Sequence, residues 1–157
     1  MPNAIERLKH ILRAQTALLP DFVSVLRDEA SLLAAGRTLE GLDVLADRKL
    51  SLAQQLSDLD STRERSLAEA GYASGRAGLD QAMVDYPHLR EASLGLYDLA
   101  SQAASINADN GRLIALLHRR NTLALQELHR LLGNDTLYDA KGHSNPAAAA
   151  SSRFRAG

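Results

Sequence analysis

The residues able to hold a metal or move a proton come first. The chain carries five histidines, His10, His88, His118, His129 and His143. Two imidazoles set three or four positions apart would place a pair of zinc ligands on one helical turn, and no two of these are so spaced. His118 and His129 are eleven apart and share a helical face, but no carboxylate falls in register with them, so exposed polar positions are the simpler reading. GYASGRAG (71–78) has the spaced glycines of a phosphate loop, yet it follows a helical stretch rather than a strand and reads as a connector. No serine, histidine and acid form a nucleophile elbow. Acidic side chains are scattered over segments with no enclosed pocket to shift their pKa. The sequence therefore predicts no enzyme, no metal and no cofactor.

The polar residues that interrupt apolar stripes are more informative. Glu29 fills a place on the first stripe, and Lys49 and Arg63 flank the second. If the chain turns back at Gly36, Glu29 comes within about two turns of Lys49, and long side chains reach that far. Two outcomes are open: snorkelling charges beside the core, or an ion pair that fixes register at a cost in stability. NADNGRLIALLHRRN (107–121) poses a second question, because asparagine and glycine usually punctuate helices. The stripe enters Asn110 from Ile106 and leaves through Leu113 and Leu117 without losing phase, which a new helix would have no reason to do. The spacing predicts one continuous helix with a structural polar layer at Asn107, Asn110 and Gly111. Asn107 and Asn121, two heptads apart, read as register-setting core amides.

Leu and Ala dominate, aromatics are 4% and tryptophan is absent. This is an all-α composition with few of the rings that fill a compact core. Lys+Arg number 18 and Asp+Glu 19, so the formal net charge of -1 gives no bulk attraction to nucleic acid or anionic lipid. Cysteine is absent, no apolar run approaches the ~20 residues of a membrane span, and MPNAIERLKHILRAQ lacks a signal-peptide core. These features fit a cytoplasmic protein.

The first stripe, Ile5, Leu8, Leu12, Leu19, Phe22, Leu26 and Leu33, keeps a three-four alternation with Gln15 and Glu29 in its gaps. Pro20 predicts a kink or break near Leu19, and Gly36 a helix end. Thr38 reads as the N-cap of a second helix, striped by Leu45, Leu52 and Leu59, that fades at Gly71. LDQAMVDY (79–86) reads as a short helix, and Pro87 suits the first turn of the next. From Leu89 a stripe runs toward Gly133; unbroken, it makes a helix of roughly 45 residues, ~65 Å long. The expected fold is an elongated antiparallel helical bundle, or coiled coil, of three long helices near 3–35, 38–70 and 88–132. A short helix sits in the 71–87 connector. Residues 1–142 form one domain, and HSNPAAAASSRFRAG (143–157) has little to pack and reads as a disordered tail.

The order Glu29, Gly36, Leu42, Lys49, Leu56, Leu59, Arg63, Gly71 resembles the first half of the FlgN family of flagellar export chaperones. The sharper match follows: Asn107, Asn110-Gly111, Asn121, then Thr136-Leu137-Tyr138 with Gly142. Together these span most of residues 20–142. Pro20, the long 71–87 connector and Lys141 depart from the pattern without touching those positions. The resemblance implies a cytoplasmic type III secretion chaperone, with no catalytic activity. Its clients would be the C-terminal helical regions of the hook-associated proteins FlgK and FlgL, delivered to the membrane export gate. It also implies that Tyr138 docks to the cytoplasmic domain of that gate, where the other reading is a ring that folds back on the bundle. The other reading is a coiled-coil scaffold or dimerisation module without an exported client.

LIALLHRRNTLALQELHRLL (113–132) supports client binding independently, because it is apolar over more than one face. A helix packed on one side needs three or four apolar positions per two turns, so the surplus predicts a homodimer or a client helix. Ile114, Leu117, Asn121, Leu125, Leu128 and Leu132 follow at steps of three or four and form the expected client-binding face. The alternative is that they pack only within the chain.

Overall fold

The computed structural model describes residues 3–36 and 41–133, and all regular structure among them is helical. In chain order the elements are α1 (Ala4–Ala34), α2 (Leu42–Glu69), α3 (Gly75–Asp85), α4 (Pro87–Ala92) and α5 (Leu96–Leu131). Thr38, Thr136, Leu137, Tyr138, Gly142, His143 and the expected tail lie outside the described residues. The chain divides into two compact units, Met1–Arg112 and Leu113–Gly157.

In the first unit α1 starts where the Asn3 side chain accepts from the Glu6 N–H at 2.8 Å, taking one of the donors that a helix start leaves unpaired. Its stripe buries Ile5, Leu8, Leu12, Gln15, Leu19, Leu26, Glu29 and Leu33, as the spacing requires, and also Ile11, Val23 and Val25. Of the kink or break expected at Pro20, the break is absent: α1 runs through it to Ala34. Pro20 is exposed, so water can reach the Thr16 carbonyl that its missing N–H leaves unbonded. Gly36, at φ 65°, ends α1 as expected.

Three contacts tie α1 to α2: Glu29 meets Lys49, Gln15 meets Arg63 and Arg7 meets Glu69, so the pairs run in opposite order along the two helices. Between α1 and the later chain the order is the same: the Thr16 hydroxyl donates to the Ala92 carbonyl, Arg27 donates to Gln102, and the Glu29 carboxylate accepts from Asn110. Gly41, at φ 98°, holds the N-cap place of α2, so α2 begins after it rather than near Thr38.

The 71–87 connector differs from expectation. Half of the supposed glycine loop is helix, because α3 begins at Gly75, whose N–H donates to the Glu64 carboxylate of α2 at 2.8 Å. A Cβ at Gly78 would stand 1.7 Å from the Ala73 carbonyl oxygen, so this glycine serves close backbone approach rather than flexibility. Pro87 takes the first position of α4, as expected, but α4 ends at Ala92. A turn through Ser93–Gly95, with Gly95 at φ 79°, separates it from α5. The third long helix therefore begins at Leu96 rather than at residue 88. Leu79, Ala82, Met83, Leu89 and Ala92 from these short helices join Leu8, Leu12, Leu19 and Leu67 in the main core. Each fully buried leucine there contributes about 1.5–3 kcal/mol.

Candidate functional site

Glu29, on the apolar stripe of α1, is buried and accepts from Lys49 Nζ at 3.0 and 3.3 Å. Asn110 of α5 is buried as well, and its Nδ2 donates to the Glu29 carboxylate at 2.8 Å and to the Leu26 carbonyl at 2.9 Å. One side-chain amide thus joins a carboxylate and a helix carbonyl, and one carboxylate joins two helices. The ion pair read from the stripe spacing is present, with Asn110 as a partner that the sequence reading had not assigned to it.

The rest of the expected polar layer is arranged differently. Asn107 and Gly111 are exposed, and so is Asn121, so neither Asn107 nor Asn121 is a core amide. The inward step after Ala103 goes to the half-buried Ile106, which leaves Asn107 facing out. A Cβ at Gly111 would meet nothing within 4 Å. The helix is nonetheless continuous across 107–111, as its unbroken phase required.

Farther along α1 and α2, Arg63 donates to Gln15 and pairs with Asp60 and Glu64. It borders a cleft of about 520 Å³ lined mainly by Leu19, Phe22, Leu56, Leu96 and Tyr97. Both carboxylates beside Arg63 are spent on structure. The Gly75 N–H holds the Glu64 carboxyl below the usual range, with Arg63 helping against the opposing effect of burial. Burial and the hydrogen bond from its hydroxyl to Asp80 (2.8 Å) raise Tyr97 to about 12. Arg76 stacks over its ring at 4.2 Å. The hydrogen bond from Tyr72 to Asp85 (2.7 Å) has the same effect on that phenol. These contacts tie α3 to its neighbours, and helical periodicity does not reveal them, because the hydrogen-bonded partners lie eleven to seventeen residues apart in the chain.

In the second unit the described residues, 113–133, are the end of α5 and its closing turn, with Gly133 at φ 72°. Ile114 is 45% exposed, Leu125 56%, Leu128 50% and Leu132 64%. Asn121 is exposed and Leu117 half-buried. These six residues, named from the sequence as one face, lie on one run of helix and its first turn residue, and the chain's described part leaves most of that face uncovered. Leu116, Leu123 and Leu131 add exposed apolar surface on the same segment. Isolated exposed leucines are ordinary, whereas a contiguous stripe of them marks an interaction surface. Among the described residues no cluster of three or more His, Asp or Glu side chains is placed to hold a metal, and no helix is long and apolar enough to cross a membrane.

Compared with known proteins, residues 1–146 match the model of one family, FlgN, described as FlgN protein. No curated protein and no solved structure matches the chain.

Proposed function

The chain belongs to the FlgN family of flagellar export chaperones, and from that premise we propose that its clients bind the exposed stripe of α5. In this reading the protein is a cytoplasmic chaperone of the flagellar type III secretion system. It binds the C-terminal helical regions of FlgK and FlgL, prevents their early assembly and delivers them to the export gate. Tyr138 docks to the gate's cytoplasmic domain, its ring supplying a rigid apolar body with a polar tip. Recognition is of the helix-in-groove kind: an amphipathic client helix buries its apolar face on Ile114, Leu117, Asn121, Leu125, Leu128 and Leu132.

The observation that carries this reading is the exposure of Ile114, Leu125, Leu128 and Leu132 on one helical face. Burying a leucine contributes roughly 1.5–3 kcal/mol. Four such residues and their counterparts on the client offset the ~4–15 kcal/mol that association costs in lost freedom. The first unit serves as the rigid support. The opposed order of the Glu29–Lys49 and Gln15–Arg63 contacts supports an antiparallel α1–α2 pair with the start of α5 alongside, the bundle expected from the stripes.

Capture of the wild-type chain by the C-terminal region of a hook-associated protein, with loss of capture by Leu128→Asp at unchanged helical signal, is the expected result. No capture by the wild type would favour the scaffold reading instead.

A further inference from the structure

The exposed stripe of α5 is complementary to itself when read backwards. Ile114, Leu117, Asn121, Ala124, Leu128 and Leu131 alternate at steps of three and four, the spacing of a coiled-coil seam. Leu117 is half-buried and the other five are exposed. Laid antiparallel against a second copy, Ile114 faces Leu131, Leu117 faces Leu128, and Asn121 faces Ala124. The outer layers are then wholly apolar. The central ones set the seam's one polar residue against its smallest, as a register-fixing amide requires.

The charges beside the seam have the same symmetry. Arg120 and Glu127 are one heptad apart on one edge of the helix. An antiparallel coil brings that edge of one copy against the same edge of the other, so Arg120 of each copy meets Glu127 of its mate. A parallel pair would instead set Arg120 beside Leu125 and Glu127 beside Leu132 of its mate, with no charge partner for either. Arg120 has no ion pair among the described residues. Among the described residues Glu127 is engaged by Arg130 of its own helix alone, at 2.6 Å, an exposed pair three residues apart that a contact between copies displaces at small cost.

We propose that a second copy of this chain covers the stripe, antiparallel and centred between Asn121 and Ala124, whenever no client is bound. This rests on the client surface proposed above, since most of the same residues serve both. Client and second copy then compete: client capture converts a homodimer into a complex with one chaperone chain, and the apolar stripe is never left open to water. Raising the chaperone concentration weakens apparent client affinity by mass action.

Light scattering and sedimentation of the full chain test this with Arg120→Glu, Glu127→Arg and their equimolar mixture. The wild type is expected to be dimeric, and each single variant to dimerise at least about tenfold more weakly, because like charges meet twice in each interface. The mixture restores a heterodimer of near wild-type strength, since the Glu at 120 of one chain meets the Arg at 127 of the other, and the reverse. A monomeric wild type, or a mixture no tighter than its components, overturns the proposal. Client capture by the two variants, measured in parallel, separates the two readings. Both lie outside the client-binding six, so a monomeric wild type whose variants still capture client sinks only the dimer. A wild type that dimerises but captures no client sinks only the client surface.

Discussion

Glu29 is a carboxylate on an apolar stripe, and its two partners decide what removing any one of the three does. Asn110→Ala takes one donor from the buried carboxylate and another from the Leu26 carbonyl, and should cost about 1–3 kcal/mol in urea unfolding. A double-mutant cycle on Glu29 and Lys49 should return a coupling of at least about 0.5 kcal/mol, and additive single effects would contradict the pairing. Gly111→Ala should act in the opposite sense, stabilising by about 1 kcal/mol, because the site is helical and a Cβ meets open space. Tyr97 gives a pH test. Its phenol is raised from 10.0 to about 12, so the folded state holds the proton longer than the unfolded one. That stability is complete below pH 10 and is lost as pH rises from there toward about 12. Thermal melts should show a shallower alkaline decline in Tyr97→Phe than in wild type. Glu29 and Lys49 were readable as neighbours because one sits on the first stripe, the other flanks the second, and few residues separate the two stripes. Asn110's share in the trio was not, because the spacing places Asn107, Asn110 and Gly111 close together without saying which one points inward.

At the scale of elements, α1 and α5 followed from apolar spacing, and the surprises came where local rules met tertiary contacts. Pro20 predicts a break by removing one donor, but α1 holds that turn in place through Leu19 and Val23 on the buried side. The glycines of 71–78 look like a loop in isolation. Gly75 and Gly78 belong to the start of α3, where Glu64, eleven residues before Gly75, supplies an acceptor to its N–H. Gly78 is where that packing is tightest: Gly78→Ala should destabilise by several kcal/mol, seen as a large drop in melting temperature, since the Cβ would overlap the Ala73 carbonyl. Gly95 divides α4 from α5 although the stripe from Leu89 to Leu96 keeps its phase, so periodicity alone could not reveal the turn. The exposed apolar stripe of α5 was the most legible feature, because an excess of leucines on one helix shows in the sequence whatever covers it.

For the whole molecule, the first unit buries two apolar clusters, whereas the leucines on the last run of α5 find little cover among the described residues. Such a surface needs a partner, and the family assignment supplies the class of partner. The most direct test is calorimetric titration of the full-length chain with the C-terminal helical region of FlgK or FlgL. The account predicts one client per chaperone chain, a Kd of about 1 μM or tighter, and the negative heat-capacity change of apolar burial. It also predicts that Leu128→Asp abolishes the signal while the helical content stays that of the wild type. Wild-type binding that Leu128→Asp leaves unchanged would contradict the assignment of the client surface, and no wild-type binding at all would contradict the function.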